Sequence, residues 1–183
     1  MSLFDRPGLR VAVLDVEASG FGSASYPIEV GVALIIGTAV PIRLWDTLIR
    51  PPLEWSASGL WSAQSAEVHG ISRDDVAEGM SVADVCDRLN TLLHGAIVVT
   101  DAPSYDRDWL ERLYVAAGKK QTFILHDFDL LSANLNHDEY RQFVYLLDRS
   151  SPPHRAGADA LRLASALLEA RLSYPPQVEH LKS

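Results

Sequence analysis

Asp15 and Glu17 stand two residues apart at the end of an apolar, valine-rich run, Arg10 to Asp15 (RVAVLD). Side chains alternate along a strand, so both carboxylates point to one face. They lie about 7 Å apart along the backbone, close enough to share a metal cluster. Burying charge is expensive, so an apolar strand with two same-side acids has a reason for them. The other reading is a strand that simply ends here with solvated acids, and the pair alone does not separate the two. Asp106 follows a second apolar run (AIVVT, 96–100) and the turn Pro103-Ser104-Tyr105, near the start of a helix. An acid there is also favoured by the helix dipole, and Asp101 and Asp108 rival it for any metal role. His154 follows two prolines and Asp159 falls just over one helical turn further on, so both can reach one pocket. Histidine suits general-base work near neutral pH. A surface histidine with a solvated helical aspartate is the commoner outcome for such a pair.

These residues need a scaffold. Ile28 to Ile36 is apolar and β-branched and reads as a second strand; Pro41 to Ile49 reads as a third, with Gly37 and Thr38 at the turn between them. Glu17 to Pro27 reads as loop, and residues 53–80 as irregular with one short helix near Ala63 to His69. Ser81 to Leu93 is a helix capped by Ser81, with Asp84 at the capping-box position and Val82, Val85, Cys86, Leu89 and Leu93 on one face. Ala96 to Thr100 is a fourth strand and Tyr105 to Ala117 a helix stopped by Gly118. Thr122 to Leu125 is a fifth strand, two short helices fall within 129–148, and Arg155 to Leu172 is a long helix. The tail from Pro175 reads as loose. A hairpin among the first strands and helical crossovers later give an α/β domain with a mixed sheet covered by helices.

The chain has 183 residues, enough for one domain (core about 10–172, tail 173–183) with a proper core. Its single cysteine, Cys86, forms no intramolecular disulfide and reads as a small buried hydrophobe, consistent with a reducing cytoplasm. No apolar run approaches the roughly 20 residues of a membrane span, and MSLFDRPGLR lacks the order of a signal peptide, so the expectation is a soluble cytoplasmic protein. The net charge of −8 and scattered basic residues argue against a general duplex binder. Asp15, Glu17, Asp106 and Asp159 could, however, hold two divalent cations. That would halve the net charge and let phosphate bind through metal instead of a basic face.

Together these segments resemble the DEDD superfamily of 3′-to-5′ exonucleases, which includes ribonuclease T, oligoribonuclease and polymerase proofreading subunits. Leu14-Asp15-Val16-Glu17-Ala18-Ser19-Gly20 resembles the first family motif and Ser104-Tyr105-Asp106-Arg107-Asp108-Trp109-Leu110 the second. His154 through Ala160 resembles the third, in the His-x4-Asp (DEDDh) form. Pro27-Ile28-Glu29-Val30-Gly31 and His69-Gly70-Ile71-Ser72 agree as well. Each motif is weak alone; three in order, from residue 11 to about 170, are specific. Two departures stand out: Ala18 where the family often has Thr, and Ala102 where it often has Asn.

The resemblance implies an RNase H-like fold with a five-stranded mixed sheet, and two Mg²⁺ ions for which Mn²⁺ can substitute. It implies Asp15, Glu17, Asp106 and Asp159 as metal ligands, His154 as general base, and cleavage of 3′-terminal phosphodiesters of DNA or RNA to nucleoside 5′-monophosphates. Phe21, in a glycine loop, is a candidate to stack on the terminal base. Ser19 is a candidate for the terminal sugar, and His69, Trp61 and Trp109 are weaker substrate contacts. Short single strands or frayed 3′ ends are the expected substrates, and the apolar tail region permits a homodimer. Two other readings stand beside this one: a non-catalytic module that binds nucleic acid or protein on the same fold, and an RNase H-like endonuclease.

Overall fold

The computed structural model describes residue 6 and residues 8–37 and 41–182; residues 1–5, part of the stretch tested for a leader, and Thr38 of the hairpin turn lie outside them. Strands β1 (Arg10–Ala18), β2 (Pro27–Ile36) and β3 (Ile42–Arg50) form an antiparallel meander. β5 (Ile97–Thr100) and β6 (Leu125–Asp127) join the other side of β1 in parallel. The sheet is mixed, as expected, but among the described residues it has seven strands where five were expected. The two additional strands, β4 (Met80–Ser81) and β7 (Val178–His180), are short, and each pairs in parallel with β3. β7 comes from the tail read as loose. The outer edge of β3 offers unpaired backbone groups that the tail satisfies, continued by Leu181 N–H donating to the Leu44 carbonyl at 2.7 Å.

β1 runs three residues beyond the expected stop at Asp15, so Glu17 lies in the strand, and the ladder to β2 shifts between Glu17 and Ala18. The stretch read as irregular holds three short helices: α1 (Leu53–Ser58), α2 (Ala63–His69) and α3 (Arg73–Ala77). Local capping explains two of them: Ser62 accepts from Ser65 N–H, and Ser72 with Asp75 forms a complete capping box. Ser81 caps α4 (Val82–Leu92), though the Asp84 carboxylate accepts from the Ser81 hydroxyl at 2.5 Å. α5 (Pro103–Ala117) starts two residues before Tyr105, because Pro103 supplies a helix-ready φ at the first position; Gly118, at φ 61°, ends it. The fifth expected strand is displaced to β6, since the Thr122 N–H and hydroxyl are held instead by the Asn90 side chain of α4. α6 (Asp129–Ser132), α7 (His137–Asp148) and α8 (Ala156–Leu172) follow.

Alternation on β1 divides the core into two layers. Ala12, Leu14 and Val16 pack toward α4 and α5 with Leu89, Leu110 and Leu113. Val11 and Val13 pack toward α8 with Ala160, Ala164 and Leu167. Asp15 and Glu17 continue the second set, so the sheet presents both carboxylates to the start of α8. Cys86 is fully buried in the first layer, where burial pushes its thiol up to about 12. Among the described residues, no helix is long and apolar enough to cross a membrane.

Candidate active site

Carboxylate oxygens of Asp15, Glu17 and Asp159 all lie within 4.8 Å of one another. Two glycines make this convergence possible. Gly31 of β2 stands opposite Asp15, and a Cβ there would collide with the backbone of Ala156 and Gly157 at the start of α8. A Cβ on Gly157 would strike the Asp46 side chain at 2.5 Å. The helix therefore enters with its first turn pressed on the sheet, which brings Asp159 to β1. The Asp159 carboxylate also accepts from Arg155 N–H at 3.1 Å. His154 precedes α8, exposed on the rim, with a φ of 55° that non-glycine residues seldom adopt.

Asp106 enters from the first turn of α5 and is 2% exposed. The Thr100 hydroxyl, at the end of β5, donates to its carboxylate and accepts from Ala102 N–H at 3.2 Å, tying strand end, turn and helix together. Of its rivals, Asp101 is exposed at the end of β5, though its charge reaches Asp15 and Asp106. Asp108 is exposed and faces a different depression, with Glu111 and Arg112.

The cluster carries more negative charge than its surroundings compensate. Burial, followed by repulsion from Asp106, Glu17, Asp101 and Asp159, holds the Asp15 carboxyl well above the ordinary range. Burial pushes Glu17 up to about 7, with Asp159 and Glu29 adding and Arg155 opposing. Asp106 is likewise pushed up to about 7 by burial, against the Thr100 hydrogen bond. Converging carboxylates, with Asp15, Glu17 and Asp106 all raised in proton affinity, form a site suited to cations.

A cleft of about 510 Å³ lies over this floor, lined by Asp15, Glu17, Phe21, His69, Tyr105, Asp106 and His154 among others. Phe21 is 73% exposed at the rim, edge-on to Tyr105 with ring centroids 6.1 Å apart. His69 is 5% exposed; its Nδ1 accepts from Ile71 N–H at 3.0 Å, which leaves the proton on Nε2. That Nε2 is buried with no hydrogen-bond partner among the described residues, and burial lowers the His69 pKa. Trp109 is 6% exposed in the first core layer, although one side reaches the cleft.

Ser19, the candidate for the sugar, faces inward. It is buried, its hydroxyl donates to the Leu60 carbonyl at 2.7 Å and accepts from Tyr26 N–H at 3.0 Å, and its backbone N–H and C=O are paired with Tyr26 and Ser62. It braces the loop that carries Phe21. Trp61 lies with Tyr26, beneath the Arg73 guanidinium, and is not among the cleft-lining residues. Residue-by-residue reading also passed over Thr100, Tyr105 and Glu29. Glu29 left a signal: an acid in the otherwise apolar strand IEVGVALII. It is 1% exposed, opposite Glu17, and held by Arg155.

No family profile matches the chain. A DNA polymerase III subunit epsilon-like protein of Rhodobacter capsulatus is 29% identical over 128 residues, 68% of this chain but only 17% of that protein's length. Among solved structures, a 3′-exonuclease described in 3′-end-specific recognition of a histone mRNA stem-loop superposes with a TM-score of 0.68 at 15% identity, over 94% of this chain and 85% of its own. The nuclease domain of 3′hExo, a DEDDh family member bound to rAMP, gives 0.62 at 14% identity over 90% and 91%. E. coli exonuclease I in a single-stranded DNA complex gives 0.63 at 11% identity over 90% and 40%. The fold of this chain is that of the DEDDh exonucleases.

Proposed function

We propose that this chain, built on the DEDDh exonuclease fold, is a 3′-to-5′ exonuclease that hydrolyses the terminal phosphodiester of a DNA or RNA strand and releases a nucleoside 5′-monophosphate. The observation that carries the reading is the convergence of Asp15, Glu17 and Asp159 within 4.8 Å, beside a cleft lined by Asp15, Glu17, Asp106 and His154. The donor set is all carboxylate, which suits hard cations, and its uncompensated charge calls for them. Mg²⁺ fits, with Mn²⁺ able to replace it. Asp15, Glu17 and Asp159 would hold one ion, and Asp15 with Asp106 a second. Bound there, the ions would supply Lewis-acid stabilisation of the charge that develops on the phosphate.

The chain's own groups do the rest. His154 on the rim accepts the proton of the attacking water, whose oxygen bonds to phosphorus as the bond to the 3′ oxygen of the preceding nucleotide breaks. Phe21 and Tyr105 offer exposed faces for the terminal base. His69, kept neutral by burial, offers its Nε2 proton to a nucleotide oxygen. A net charge of −8 favours short single strands or frayed ends over long duplex. The two-residue departure, Ala18 and Ala102, is what favours a non-catalytic binding module instead.

The deciding experiment follows shortening of 5′-labelled single-stranded DNA and RNA oligomers with Mg²⁺, Mn²⁺ or EDTA, beside Asp15→Asn. Stepwise metal-dependent shortening, absent in the variant, is expected, with a circular substrate left intact. Folded protein that binds oligomers without shortening them would favour the binding module; cut circles would favour an endonuclease.

A further inference from the structure

We propose that Glu29 and Arg155 form a positioning clamp that sets His154 and Asp159 against the carboxylates of β1, and that turnover depends on it. The inference rests on the exonuclease reading above for its kinetic consequence. Its geometry is independent of that reading.

Glu29 is 1% exposed on β2, directly opposite Glu17. Its carboxylate accepts from Arg155 at 2.5 Å and 3.1 Å in a forked arrangement, and from Ala156 N–H at 2.8 Å. Arg155 is the N-cap of α8, and its own side chain makes no capping bond. A strand carboxylate therefore does the capping from outside the helix, satisfying one of its orphan N–H groups. The remaining backbone donor, Arg155 N–H, goes to Asp159. Three consecutive residues are thereby addressed: Arg155 and Ala156 by Glu29, and His154 through its bond to Arg155. His154 needs such support, since a φ of 55° persists only where neighbours impose it.

Stability alone is a poor reason for this pair. A buried ion pair returns little net stability once both charges are desolvated. Here the Glu29 charge also lies beside Glu17 and Asp46, and raises the proton affinity of both. The Arg155 side chain is 46% exposed, so it does not fill the core. What the pair does supply is a fixed direction: the fork fixes guanidinium orientation as well as distance. Glu29 thus acts through Arg155 on residues that would touch the substrate, as partners behind metal ligands do in other sites.

The test uses Glu29→Gln, which keeps shape and an acceptor for Ala156 N–H but removes the charge pair. It also uses Arg155→Lys, which keeps charge but loses the fork, and the double variant Glu29→Gln/Arg155→Lys. Turnover of a short single strand by the full chain is compared at equal folded fraction. Each single variant is expected to lose on the order of 10–100-fold in kcat, with KM within about threefold. The double variant should be no worse than the poorer single, because the residues act as one unit. Wild-type kcat in folded Glu29→Gln, or losses that multiply in the double, would overturn the clamp. Should Glu29→Gln not fold, Arg155→Lys decides in its place: a kcat loss there supports the clamp, and wild-type kcat overturns it. Should the wild type hydrolyse nothing, the exonuclease reading fails and the clamp is judged by the His154 imidazole proton resonances. Displaced resonances in both single variants support it, and unchanged ones overturn it.

Discussion

Asp15 is pulled in two directions. Its position at the centre of the acid cluster suits a cation ligand, yet burial and four neighbouring carboxylates oppose its ionisation in the bare protein. Asp15→Asn is accordingly expected to abolish hydrolysis while raising the metal-free melting temperature by a few degrees, since it removes the charge at the middle of the repulsion. Melting curves in EDTA beside the activity assay check both halves; a lower melting temperature would contradict the account of the cluster. His154 sits on the rim and is proposed as the general base. His154→Ala should lower kcat by about 10²–10⁴, the usual worth of a general base, and leave Mn²⁺ affinity within a few-fold by calorimetry. Ser19→Ala tests the bracing contacts of that residue. Leaving its buried partners unmatched should cost about 1–3 kcal/mol in chemical denaturation, and kcat should change less than stability.

The entry of α8 onto β2 is the packing event that makes the site. It requires no side chain at Gly31, where a Cβ would meet helix backbone that has no flexible end to move. Gly31→Ala should therefore cost about 1–3 kcal/mol of overpacking and also depress kcat, because the helix that shifts carries Asp159 and adjoins His154. Gly95→Ala is the control. Gly95 has a φ of 70° in the turn before β5 and nothing near its missing Cβ. Its substitution should cost about 1–2 kcal/mol of left-handed strain with kcat unchanged. Equal kinetic loss in both variants would mean that general destabilisation, and not the approach of α8, explains the Gly31 effect.

Across the molecule, the raised carboxyls tie folding to pH and metal. Glu17 moves from 4.5 to about 7 and Asp106 from 3.8 to about 7. Between those limits the folded state binds more protons than the unfolded chain. Stability of the metal-free protein must then fall as pH rises through the window, and the loss is complete above about 7. Divalent cations bind the ionised form and should reverse it. Thermal unfolding with and without Mg²⁺ or Mn²⁺ is expected to show a larger metal-induced gain near pH 8 than near pH 5; an equal gain at both would place the cations elsewhere.

Much of this was legible in local chemistry. The apolar run Arg10 to Asp15 shows that a strand forms, and the spacing of Asp15 and Glu17 that its two acids share a face, because side-chain alternation is a property of the backbone alone. Ser81 and Gly118 mark helix ends for equally local reasons. The DEDDh pattern links three distant segments, and the fold bears out that likeness. Other features depend on what the chain meets after collapse. β7 forms because β3 has an open edge, and β6 is displaced because Asn90 holds Thr122. Ser19 faces inward because Leu60 and Tyr26 need its hydroxyl. The raised proton affinities of Asp15, Glu17 and Asp106 also come from collapse, since they arise from distance and desolvation between groups up to 144 residues apart (Asp15 to Asp159). Residue types and their spacing along the chain establish which groups are available for chemistry. The packing of α8 on β2 establishes which of them meet, because only close approach lowers the local dielectric and brings separate charges into one field.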